Sequence, residues 1–263
     1  MGRNRKSSRG VSVVTPLDVP LTKIRYRNPL RVTIRSGVPI AVHHVTSDEA
    51  RKGIISSGKM RPRKRPNFVP LFGYGDGGYF TFEQDTKAVK HWKSMFRTKD
   101  VISATITPQK PLVVQGVYEP MGTTVGLDFG GVGYDTLWST RITYVDAVLG
   151  ALPEEERAGL LALRSDIIKR KMKNIIEIAR FRLIESSLPP YMANSQFAEL
   201  LNADVAISNN LIEATNTIVR NLGYDVIAIL PPDSRVLPDS DITGGAQLLA
   251  LTPDVVTVNG IRD

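Results

Sequence analysis

Apolar positions recur with two different periods along this chain, and the switches between them fall at glycines and prolines. The β-branched run at 11–15 and the alternation Leu30, Val32, Ile34 predict strand material, interrupted by Pro16, Pro20 and Pro29. A short strand of the buried type follows at 38–45, ending in His43, His44 and Val45. Thr46 and Glu49 stand at capping-box spacing and open a helix with Ala50, Ile54 and Ile55 on its inner face, which stops at Gly58. Residues 59–70 then read as a proline-broken basic loop with Lys59, Arg61, Arg63, Lys64 and Arg65.

From residue 73 the pattern changes abruptly. Gly73, Gly75, Gly77 and Gly78 carry no Cβ, so the backbone can turn tightly there and approach a ligand. They deliver Tyr79, Phe80, Thr81 and Phe82, the composition of a short strand. Asp85 can cap the next helix, where Ala88, Val89, Trp92 and Phe96 recur at helical spacing. Strands are predicted at 101–107 and 112–114, and an irregular glycine-rich stretch at 116–138. The clearest long helix runs from Pro153 to about residue 187, with acids at its start and Pro189-Pro190 after its end. Shorter helices at 195–203 and 208–222, capped by Gly223, precede two strands at 225–230 and 247–251 separated by a turn-rich loop at 231–246. Strands and short helices, a helical insertion at about 150–205, then strands again: this order predicts an α+β fold with a mostly antiparallel or mixed sheet. Residues 1–10 read as a disordered basic arm, leaving 11–263 as a single domain.

Composition narrows the chemistry. With 263 residues, 42% hydrophobic and 23% charged, the chain can bury a sizeable core. It has no cysteine, which excludes disulfides, thiolate metal sites and Cys nucleophiles. No apolar run approaches membrane-spanning length and the basic, polar N-terminus lacks a signal-peptide core, so no membrane is expected and the location is read as cytoplasmic. The net charge of +8 is unevenly spread. Residues 1–70 hold 16 Lys and Arg against 3 acids, or +13, and the remainder carries −5. That asymmetry points to an anionic partner at the basic region, or to a basic tail on a solvated surface.

Gly73, Gly75 and Gly78 fit a dinucleotide-binding glycine pattern, but they run into a strand rather than a helix N-terminus, so a Rossmann site does not fit. Likewise, Asp128-Phe129-Gly130 lacks the surroundings of a kinase or an ATPase. His43 and His44, adjacent on one strand, point to opposite faces and could not easily chelate one metal ion, and no metal site is expected.

Three segments together resemble a known family. His43-His44-Val45-Thr46 before a helix, Gly75-Asp76-Gly77-Gly78-Tyr79-Phe80, and Gln247 to Val256 resemble the H-Y-E clade of ADP-ribosyltransferases, the diphtheria-toxin and PARP type. Gly223-Tyr224-Asp225-Val226-Ile227 resembles the transferase modules of phage polyvalent proteins. The resemblance covers about 40–130 and 205–260, and implies a split mixed or antiparallel sheet with NAD as substrate. His44 would then hydrogen-bond a ribose hydroxyl and the Val45 backbone would clamp the carboxamide, beside Thr46 and Gly77. Tyr79 and His91 would sandwich the nicotinamide ring. Gln247 stands where the family carries a catalytic glutamate; its amide can orient a ribose but has no carboxylate to take a proton. Mono-ADP-ribosylation of a protein or nucleic acid is the leading expectation, in a host cytoplasm or virion if the source is a phage. Asp239 or Asp241 could supply the missing acid, and the loop at 231–246 stands where the family recognises its acceptor. A catalytically inactive module binding nucleic acid or a virion or protein partner, and simple NAD hydrolysis, stay open beside it.

Overall fold

The computed structural model describes residues 34–60, 77–115, 132–230 and 247–262. Seven strands form one mixed sheet in the order β4-β5-β6-β2-β1-β3-β7. They are β1 (Ile40–His44), β2 (Gly78–Phe82), β3 (Val101–Ile106), β4 (Pro111–Gln115), β5 (Val226–Leu230), β6 (Gln247–Ala250) and β7 (Val256–Arg262). Only β4 and β5 run parallel among these pairs. The helices are α1 (Asp48–Ser57), α2 (Thr86–Phe96), α3 (Val132–Ala151), α4 (Ala158–Ile184) and α5 (Pro190–Asn221). The expected α+β class and mixed sheet are therefore present. None of the described helices is long and apolar enough to cross a membrane.

Strand alternation gives the sheet two apolar faces. One gathers Val42, Phe80, Phe82, Ala104, Ala228 and Leu248, with Ile54 of α1 packed against it. The other gathers Val114, Ile227 and Leu249 with Tyr144 and Val148 of α3, Leu160 of α4 and Leu211 of α5. Each fully buried Leu or Ile here stabilises the fold by about 1.5–3 kcal/mol relative to exposure. The buried Asp225 carboxylate accepts from the backbone N–H groups of Gln109 (2.6 Å) and Lys110 (3.1 Å), which joins the starts of β4 and β5. Helices and sheet are also tied by charge. Lys110 Nζ lies 3.1 Å from Glu156 Oε1 and 4.0 Å over the Tyr224 ring, whose hydroxyl donates to Glu156 at 2.8 Å.

Gly58 ends α1 in the left-handed region (φ 62) and Asp85 caps α2 through a 2.9 Å bond from Ala88 N, both as expected. The α1 cap, however, is Ser47 rather than Thr46, and Ile55 is exposed instead of facing inward. Two differences are larger. The helices run from Val132 to Asn221, so part of the stretch read as irregular is α3, and the two short helices expected after residue 190 are one continuous α5. The edge strand β7 was not foreseen. The predicted strand at 11–15, the arm at 1–10 and the loop at 231–246 lie outside the described residues.

Candidate active site

Sheet order brings together segments far apart in the chain. β2 lies between β1 and β6, so His44, Tyr79 and Gln247 fall on three adjacent strands. In register, Thr81 of β2 stands opposite His43 of β1 on one side and Gln247 of β6 on the other, and Tyr79 stands opposite Leu249.

His44 ends β1 with its Nδ1 2.7 Å from the Tyr79 carbonyl oxygen. A carbonyl only accepts, so Nδ1 carries the proton and Nε2 is left as the acceptor. Burial lowers the imidazole pKa below its usual 6.5, with the bond to Tyr79 pulling the other way. The ring rests against Phe80, centroids 5.6 Å apart and tilted by 54°. His44 thus lies on the Phe80 side of the sheet, whereas Tyr79 packs among the helix-side residues. Their side chains project to opposite faces and are joined through the Tyr79 backbone.

The glycines before Tyr79 have a packing reason of their own. A Cβ on Gly77 would come within 2.2 Å of Leu249 Cδ1 and 3.0 Å of the Ala250 carbonyl, and one on Gly78 within 2.9 Å of Phe80 Cε2. Only glycine lets β2 enter the sheet this close to β6. Val45 is buried and Thr46 half-buried, both just beyond the last residue of β1. Gln247 is buried at the start of β6, on the same face as Tyr79 by strand alternation. The His91 side chain lies outside the described residues, as do Gly73, Gly75, Arg61 to Arg65, Asp239 and Asp241.

Comparison of the chain with protein-family models, with curated proteins and with solved structures gives no match. Geometry alone therefore carries the reading of this site.

That geometry adds Ser103, Thr81 and Arg141 to the residues singled out in the sequence. Ser103, His43, Thr81 and Gln247 form a row of buried polar residues across β3, β1, β2 and β6. Thr81 Oγ1 donates to the His43 carbonyl at 3.4 Å, and His43 Nδ1 has no hydrogen-bond partner among the described residues. Burial is also the main cause that lowers the His43 pKa. From α3, the buried Arg141 donates to Asn209 Oδ1 at 2.5 Å. Burial draws its guanidinium down to about 10, opposed by the charges of Tyr79 and Glu213 nearby. The alternating pattern of each strand could have revealed the polar row; Arg141 could not be found, because its helix begins in a stretch that reads as irregular. Among the described residues no group of three or more His, Asp or Glu is placed to hold a metal ion.

Proposed function

We propose that the chain is a mono-ADP-ribosyltransferase that moves ADP-ribose from NAD to a macromolecular acceptor, protein or nucleic acid. The single observation that supports this most is the adjacency of β6, β2 and β1, with His44 bonded to the Tyr79 carbonyl, because it gathers the three motif positions from residues 44, 79 and 247. In this reaction the bond from nicotinamide nitrogen to ribose C1′ breaks, its electron pair leaves on neutral nicotinamide, and an acceptor nucleophile forms the new bond to C1′ while losing a proton. The transition state carries positive charge on the ribose, so positioning of the sugar governs the rate. His44 Nε2 accepts from a ribose hydroxyl on the Phe80 face of the sheet, held in place there by the Tyr79 carbonyl, while the Tyr79 ring and Gln247 pack on the opposite face and act through the strands they fix.

Incubation with adenine-labelled NAD and cell lysate is expected to label a macromolecule, and His44→Ala and Tyr79→Ala to abolish the label. Labelling that persists in both variants contradicts the site.

Gln247, together with the +13 charge of residues 1–70, favours a second reading: a non-catalytic module on this fold that binds nucleic acid. That reading expects salt-sensitive nucleic-acid binding, no thermal stabilisation by NAD and no nicotinamide release.

A further inference from the structure

α4 and α5 form a helical hairpin whose facing sides are buried. Leu160, Ile167 and Phe181 of α4 and Ala193 and Leu211 of α5 are buried, and Phe181 stacks on Phe197 with centroids 5.8 Å apart. α4 carries a second apolar seam turned away from that contact. Leu161 (51% exposed), Met172 (53%), Ile175 (43%), Ile176 (48%) and Leu183 (84%) recur at helical spacing along one side, with half-buried Ile168 and exposed Ala179 between them. The seam spans about 33 Å at 1.5 Å per residue, and its steps of three, four and seven residues are those of a coiled-coil core line. Contiguous exposed apolar surface of this kind marks an interaction site.

Charge selects the occupant. Lys169, Lys173 and Arg180 run alongside the seam and are exposed. Arg180 is paired with Glu177 at 2.9 Å, while Lys169 and Lys173 have no ion-pair partner among the described residues. A second copy of α4 would set these cations against each other. A bilayer meets a plane, whereas this seam is one helix wide and its far side is filled by α5.

We propose that the outer face of α4 docks an acidic amphipathic helix of a partner protein, with apolar residues in the seam and carboxylates against Lys169 and Lys173. The test uses the full chain and, as probe, a labelled peptide of about three heptads with Leu at the core positions and Glu at the flanking ones. Saturable binding by fluorescence anisotropy is expected. It should weaken by about tenfold or more, some 1.4 kcal/mol, in Ile176→Ser and in Lys169→Glu/Lys173→Glu. The charge-reversed variant should instead bind the Lys-flanked peptide. These positions are exposed, and unchanged thermal melts verify that the variants fold. Equal binding by all variants, or no binding, overturns the proposal. So does a concentration-dependent dimer of the chain alone that Ile176→Ser abolishes, which assigns the seam to self-association. Capture by phosphatidylserine vesicles without peptide binding overturns it in favour of a membrane surface.

Discussion

Donation from Nδ1 to the Tyr79 carbonyl fixes which nitrogen of His44 can act, and burial keeps that ring neutral. The consequence is a pH dependence with a definite sign. His43 and His44 both have folded pKa values below 6.5, the unfolded value, so their contribution to stability is full above that pH. It is lost as pH falls through the folded values, because the unfolded chain takes up protons first. Asp204 acts in the opposite sense, since burial raises its carboxyl to about 7. The readout is therefore a difference: the urea midpoint of His43→Gln/His44→Gln should fall less than that of the parent between about pH 7 and about pH 5. Equal slopes would contradict buried neutral imidazoles. Gly77 makes a simpler prediction. Gly77→Ala drives a methyl group into Leu249 and is expected to cost about 1–3 kcal/mol in urea unfolding. A neutral result would mean that β2 and β6 can part. Both residues were legible as motif members in the sequence. That the glycine serves strand packing was not, because Leu249 is more than 170 residues away in the chain.

Between α4 and α5 the buried seam is interrupted by charge. Lys171 Nζ lies 2.5 Å from Asp204 Oδ2, and Asn174 donates to Asp204 Oδ1 at 2.8 Å, all three residues being buried. Removing one partner strands a buried carboxylate, so Lys171→Met is expected to cost about 3–5 kcal/mol. Replacing both, as Lys171→Met/Asp204→Leu, should recover most of that loss in thermal melts. A double variant no more stable than the single one would contradict the pairing. Such polar residues also explain why the helices were only partly legible. α5 contains Asn202, Asn209, Asn210 and Asn216, poor helix formers that split it in a local reading. In the fold, Asn209 accepts from Arg141 and Asn216 Oδ1 accepts from the Tyr144 hydroxyl at 2.8 Å, so tertiary partners override local preference. β7 escaped notice for a related reason: it is an edge strand, largely exposed, with Gly260 within it.

Across the whole molecule, sheet order does what no single segment could. The strand class, the α+β pattern and the residues of the motif strands follow from local periodicity, but the neighbours of β2 depend on contacts between the two ends of the chain. Opposite faces for His43 and His44 followed from strand alternation. The opposite faces of His44 and Tyr79 did not, because they depend on the pairing register of β1 and β2. α3, α4 and α5 cover one face of the sheet and set Arg141 near Tyr79, on the face opposite His44. The most direct test is the release of nicotinamide from NAD by the full chain and by His44→Ala, read at equal concentration with both proteins shown to be folded. Release that is proportional to protein and falls by about 10²-fold in His44→Ala is expected if this histidine positions the ribose. No release from the parent chain, or equal release from the two, would contradict the transferase.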